Sequence, residues 1–186
     1  MIAEKKPSKF IEVGSGHSTK LVHLAKSNHS VHTEIISIDP NPRAFVDNIS
    51  NQIIRKAFED IDLSTLKIES GDMLFIDNSH RILPNSDAMV FFMEVLPSLP
   101  KGVIVHLHDI YLPFDYPQFM CDRFYNEQYG LASFLLANPK KYKTIMPNYF
   151  VSKDVELSQI YASIWEHDNL EDVERHGGSY WLEIMD

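Results

Sequence analysis

Cysteine is nearly absent from this 186-residue sequence: Cys121 stands alone. One thiol cannot build an internal disulfide framework, and such usage fits a reducing compartment. A cytoplasmic setting is the expectation. Positive charge is also short. There are 17 Lys and Arg against 26 Asp and Glu, a formal net charge of −9, so the chain lacks the basic footprint of a non-specific nucleic-acid binder. Long apolar runs are missing too. Nothing approaches the ~20 apolar residues of a membrane span, and Met1 to Lys6 carry charge but no apolar stretch of a signal peptide. No repeat or low-complexity tract is present. What is there is 44% hydrophobic residues and nine histidines. That composition argues against disorder, and the length argues for a single domain over 1–186, large enough to bury about 70% of its unfolded surface.

Short apolar runs alternate with helix-period segments. Strands are expected at residues 9–13, 34–38, 72–76, 102–108 and 142–146, weakly at 52–57, and at 179–185 to close the chain. Helices are expected at 18–28, capped by Ser18 or Thr19 and burying Leu21, Leu24 and Ala25, then at 42–49, 88–96, 126–137 and 157–165. Near-continuous apolar strands separated by helices imply a parallel sheet covered on both faces. With right-handed crossovers this is a doubly wound three-layer α/β/α sandwich. Ligands in such a sheet bind beyond the carboxyl ends of the strands. Five tips should therefore converge on one crevice: Gly14 to His17, Asp39 to Asn41, the stretch after Ala57, Asp77 to His80, and His108 with Asp109.

Residues 10–18 read strand, glycine turn, helix. Glycine lets the backbone turn sharply and approach a ligand without a Cβ, and the helix start behind it offers free N–H groups. A Gly-x-Gly alone is weak evidence and by itself reads first as an ordinary tight strand-to-helix turn. Its context is more specific, because Asp39 follows 25 residues later at a second strand tip and can accept from both ribose hydroxyls of a nucleoside. The dinucleotide fingerprint requires a third glycine where this chain has Thr19, which counts against NAD. The phosphate-cradling Gly-x-x-x-x-Gly-Lys-Ser/Thr is absent as well, which counts against ATP or GTP.

Several stretches together resemble class I S-adenosylmethionine-dependent methyltransferases. Glu12-x-Gly14-x-Gly16-x-Ser18 is similar to their first motif and Ile38-Asp39-Pro40 to their second. Gly71 to His80, Val105 to Pro117, Asn126 to Tyr129 and Gly178 to Leu182 are similar to the usual runs of a bacterial small-molecule or sugar-type subgroup. The resemblance spans residues 9–185. It implies a Rossmann-like seven-stranded sheet whose last strand is antiparallel, and methyl transfer from S-adenosylmethionine to a small-molecule or sugar-linked acceptor, with oxygen as the expected acceptor atom. The implied cofactor-binding residues are Glu12, Gly14, Ser15, Gly16, His17, Ser18, Asp39 and Asp77. Glu59 and Asp60 would flank the adenine. Members carry helices before the first motif, so this chain is expected to leave one side of the site open, with self-association to a homo-oligomer as one consequence. The alternatives are a NAD-dependent oxidoreductase, a module that binds S-adenosylmethionine without turnover, and a metal-dependent hydrolase, for which further ligands are lacking.

His106 and His108, two apart on a strand, share a face. The catalytic candidates are His108, with Asp109 to orient it, and His80. An imidazole has an ordinary pKa near 6.5, so a neutral fraction exists at pH 7 to take one proton from an acceptor hydroxyl. Asp77, His80, His108 and Asp109 also admit a divalent metal without requiring one. His106 reads as a core histidine. Residues 111–116 suit an acceptor-site loop or a rigid turn.

Overall fold

The computed structural model describes residues 1–42 and 44–186. Its centre is a seven-stranded sheet of β1 (Lys9–Val13), β2 (Glu34–Ile38), β3 (Gln52–Ile54), β4 (Met73–Ile76), β5 (Ile104–Leu107), β6 (Tyr142–Pro147) and β7 (Tyr180–Ile184). The spatial order is β3-β2-β1-β4-β5-β7-β6. The first five strands run parallel, with Phe10 opposite both Ile35 and Met73. β7 is antiparallel to both β5 and β6, pairing Leu107 with Tyr180 and Tyr142 with Ile184. All four residues of β4 are buried, as are the last four of β1 and of β2. That is what strands covered on both faces require.

Eight helices surround the sheet among the described residues: α1 (Ile2–Lys5), α2 (His17–Asn28), α3 (Asp87–Val90), α4 (Leu96–Ser98), α5 (Gln118–Cys121), α6 (Glu127–Ala137), α7 (Asn148–Lys153) and α8 (Ala162–Trp165). A π-helical turn, Phe91–Val95, joins α3 to α4. It packs Phe91 and Phe92 fully into the larger core with Ile11, Leu74, Val105 and Leu182, about 1.5–3 kcal/mol for each such side chain. Ser86 caps α3 by accepting from the Met89 N–H at 3.0 Å. The opposite face holds a smaller core of Phe10, Ile35, Met73, Phe75 and Val22.

Three expectations fail in the helices. α2 does not bury Leu21 and Leu24, which are 66% and 53% exposed. Thr19 and Val22 face inward instead, because Thr19 is held by a buried carboxylate described below. Nor is α2 capped by Ser18: its N-cap is Gly16, whose N–H donates to Thr19 Oγ1 at 3.0 Å. The helix expected over 42–49 is absent among the described residues, where 47–49 form a turn, and Arg43 lies outside them. The short α7 follows β6 without a sequence signal that separates it from the strand. No helix among the described residues is long and apolar enough to cross a membrane.

Candidate active site

Strand order reverses at β1 and β4. A cleft of about 920 Å³ opens beyond their carboxyl ends, at the topological switch point where such sheets take ligands. All five expected tips reach it: Gly14 and Ser15 after β1, Asp39 to Asn41 after β2, Ala57 to Glu59 after β3, Asp77 to Arg81 after β4, and His108 with Asp109 after β5. A sixth wall, Asp122 to Tyr125, comes from the turn between α5 and α6.

The glycine turn is built from below. Glu12 is fully buried on β1 and accepts from Thr19 Oγ1 at 2.5 Å, Ser37 Oγ at 2.6 Å and Ser18 Oγ at 3.0 Å. Burial pushes its carboxyl up, against the opposing pull of the three hydroxyls. Glu12 thus ties the start of α2 to β1 and β2. Gly14 adopts φ +87°, and a Cβ there would lie 2.0 Å from the carbonyl oxygen of Asp77. Its role is close approach of the β1 turn to the β4 tip. Glu12, Gly16, His17 and Ser18 are not among the residues lining the cleft, whereas Gly14, Ser15, Asp39 and Asp77 are.

Asp39 accepts the Ser15 N–H at 2.8 Å and the Ser15 hydroxyl at 3.2 Å on one oxygen, and the Asn41 N–H at 2.8 Å on the other. The carboxylate is oriented at one end of the cleft beside Phe58 and Glu59. Oδ1 keeps one acceptor site for a ribose hydroxyl, and the Ser15 hydroxyl, when turned to a ligand, would release a second on Oδ2, so the residues here fit a ribose.

At the other end, the Asp77 to Arg81 loop is fixed from several sides. Asp87 accepts from the Ser79 N–H at 2.9 Å. Asn78 accepts from the His80 N–H at 3.0 Å, and the Asn126 N–H donates to the His80 carbonyl at 3.0 Å. His80 and Asp109 both sit in the left-handed region, at φ 58° and 54°. Such strain at non-glycine residues costs of order 1–3 kcal/mol and gathers at functional sites. The His80 side chain is buried. Its Nδ1 meets the fully buried Glu127, and its Nε2 lies 3.4 Å from Asp77 and 3.6 Å from Asp109. Burial pushes this imidazole down, but the hydrogen bonds to Asp77 and Glu127 outweigh it and raise it to about 10. Asp77 is opposed by burial in the same way, yet His108 and His80 hold it well below the usual carboxylate range.

His108 is 42% exposed at its side chain. Its Nδ1 is buried, without a hydrogen-bond partner, 3.4 Å from Asp77 and 3.2 Å from Asp109. The residue lines the cleft. Burial lowers this group while Asp77 and Asp109 raise it further, so it lies above its ordinary value. One donor atom each from Asp77, His80 and His108 lies within 4.8 Å of the others. With the orphaned Nδ1 of His108 between two carboxylates, the residues fit a divalent ion.

His80, His108 and Asp109 therefore come together. Sequence reasoning missed Glu127 and the Asp122 to Tyr125 wall. The only signal for Glu127 lay inside the 126–129 run, which carried no role. The 111–116 loop turns away: Tyr111 and Tyr116 are buried with Met120 in a separate small core, and none of the six residues lines the cleft.

Strand order, glycine turn, acid after β2 and antiparallel β7 together define a class I methyltransferase fold. The model of a family described as "Methyltransferase domain" matches residues 11–110, more than half of the chain. The chain belongs to that family. Among solved structures, the cmcI-D160 Mg-SAM structure matches with a TM-score of 0.52 at 14% identity, covering 100% of this chain and 68% of that one. PKMT2 from Rickettsia typhi matches with a TM-score of 0.51 at 11% identity, covering 97% of this chain and 49% of that one. At such identities the likeness concerns the fold. No curated protein sequence matches.

Proposed function

We propose that this protein is an S-adenosylmethionine-dependent O-methyltransferase acting on a small-molecule or sugar-linked acceptor, and that residues 1–186 act as one domain. One observation carries the reading: the cleft has the oriented carboxylate of Asp39 at one end and the partly exposed imidazole of His108 at the other. The cmcI structure that shares this fold is itself a SAM complex. The volume leaves room for an acceptor beside the cofactor.

S-adenosylmethionine supplies a methyl group on a sulfonium. Transfer forms a C–O bond as the C–S bond breaks, the electron pair goes to sulfur, and one proton must leave the acceptor hydroxyl. The Asp39 carboxylate holds the ribose hydroxyls and so fixes the distance from that anchor to the β4 and β5 tips. His108 receives the acceptor proton at Nε2, while Asp77 and Asp109 steady its other edge. His80 is held at Nδ1 by Glu127 and turns Nε2 toward Asp77 and Asp109, so its part is positioning of those two carboxylates. Glu12 shapes the glycine turn from beneath. Were a divalent ion held by Asp77, His80 and His108, it would supply Lewis-acid polarisation of the acceptor oxygen in place of the His108 base, because an imidazole ligated at Nδ1 keeps its proton on Nε2.

Three outcomes are expected. Asp39→Ala should abolish measurable S-adenosylhomocysteine binding by calorimetry; a wild-type affinity rejects the ribose assignment. His108→Ala should lower turnover by about 10²–10⁴-fold. The wild-type rate should climb with pH through a value above 6.5, because only the neutral imidazole accepts a proton. An unchanged rate in the variant removes His108 from the chemistry.

A further inference from the structure

Two arginines line the cleft, Arg81 from the loop after β4 and Arg123 from the turn between α5 and α6. Both are exposed. Their segments are tied together by Asn126, which donates its N–H to the His80 carbonyl at 3.0 Å and accepts the Ile82 N–H on Oδ1 at 2.7 Å. Arg81 lies between those two residues, and Arg123 precedes Asn126 on the same turn.

Acids outnumber bases in this chain, 26 to 17, so an arginine has carboxylates to choose from, and Arg55 takes Asp47. Among the described residues, neither Arg81 nor Arg123 is paired with one. The carboxylates nearby are committed elsewhere. Asp87 accepts the Ser79 N–H at 2.9 Å and the Ala88 N–H at 2.7 Å. Asp122 accepts from Gln118 Nε2 at 2.8 Å, and Asp77 and Asp109 face the two histidines. The Arg123 guanidinium stands 5.9 Å from the centroid of the Phe119 ring, a contact that steadies the side chain and leaves its N–H fork open. A guanidinium is always charged, and its planar fork matches the oxygens of a phosphate or carboxylate. Two of them on joined segments suit a phosphomonoester dianion better than a single carboxylate.

Phe124 lines the same cleft and is 76% exposed, at φ 61°. A bulky side chain avoids the left-handed region, and an apolar ring gains by leaving water. The turn holds it there nonetheless: the Phe124 N–H donates to the Cys121 carbonyl at 2.9 Å, and the Tyr125 N–H to the Met120 carbonyl at 3.1 Å. Such strain gathers where ligands are clamped. The ring offers a flat apolar face beside the two charges.

We infer that Arg81, Arg123 and Phe124 form the acceptor subsite and that the acceptor is a ring carrying a phosphate: the two guanidiniums hold the phosphate, and Phe124 stacks on the ring. That the bound molecule is the acceptor rests on the methyl-transfer reading above; that the subsite binds a ring phosphate does not.

The probes are phenyl phosphate and glucose 6-phosphate, titrated by calorimetry into protein saturated with S-adenosylhomocysteine. At least one should bind, tighter than phenol or glucose and tighter than its carboxylate counterpart, benzoate or glucuronate, by about tenfold. The tighter of the two phosphates tells an aromatic ring from a sugar. Arg81→Ala and Arg123→Ala should each weaken it about 10–100-fold and leave S-adenosylhomocysteine affinity unchanged. Phe124→Gly relaxes the left-handed backbone, so its Tm should not fall. It should weaken the ring phosphate about 2–10-fold while inorganic phosphate binds as before. Asp39→Ala, compared with the wild type without cofactor, should keep the ring phosphate, so failure of the ribose assignment and failure of this one read separately. Four results overturn the proposal: no binding of either ring phosphate, unchanged binding in both arginine variants, preference for the carboxylates, or lost S-adenosylhomocysteine affinity in the arginine variants, which assigns them to the cofactor.

Discussion

His106 and His108 share one strand face, yet one pleat separates opposite chemistries. His106 lies between Trp181, stacked at 3.8 Å and 13°, and Phe75 at 4.5 Å. Its Nε2 is buried without a partner. Burial, helped by the neighbouring His108, pushes this imidazole down to about 3. Between about 3 and its unfolded value near 6.5, the folded chain binds fewer protons at this residue than the unfolded chain. The stability it contributes is therefore full above 6.5 and is lost progressively as pH falls toward 3. His106→Phe keeps the stack and removes the orphan, so urea unfolding should show equal or greater stability at pH 7 and a flatter acid limb. A wild-type slope in the variant places the acid sensitivity elsewhere. Strand alternation separates the pair from Leu107, and position along the strand marks His106 as the core member; that Trp181 of the last strand covers it depends on the sheet pairing and could not be read from the sequence.

At the scale of elements, the strands were legible and the helix faces less so. β1, β2 and β4 are buried on both sides, so their apolar runs announce them and their tips follow. α2 was misread because hydrophobic spacing assumes that leucines face inward. Here the inward position belongs to Thr19, which serves Glu12 and the Gly16 N–H at once. Thr19→Val keeps the volume and strips both hydrogen bonds, leaving a buried carboxylate and the helix start short of partners. It should cost about 1–3 kcal/mol in chemical denaturation, whereas Leu21→Ala, on the solvent side, should stay within about 0.5 kcal/mol. Equal effects at the two positions contradict this account of the helix.

For the whole molecule, what was legible of the site is its floor. The tips of parallel strands converge by topology, so Asp39, Asp77, His80, His108 and Asp109 could be placed from order along the chain. The wall from Asp122 to Tyr125 and the Glu127 beneath it could not, since they arrive from a connection whose path depends on tertiary packing. The cleft joins segments from residue 13 to residue 125, so a ligand that fills it should stabilise the entire fold. S-adenosylhomocysteine at about 100 times its Kd adds about 2.7 kcal/mol, which raises Tm by about 5–11 °C for a chain of this length. NAD(H) should leave Tm unchanged, and the reverse ranking favours an oxidoreductase.

β7 has a consequence in time as well as in space. It is the last strand of this chain and lies between β5 and β6. Just before it, the Gly178 carbonyl accepts the Ile110 N–H at 2.7 Å, and the Ser179 carbonyl accepts the Asn148 N–H at 2.9 Å. As the polypeptide leaves the ribosome, β5 and β6 emerge with a strand-wide gap between them. The backbone beside Asp109 stays untethered until β7 is free. The nucleoside end of the cleft can form before β7 emerges, whereas the reacting end waits for it, so a translation product interrupted before β7 should hold cofactor better than it turns it over.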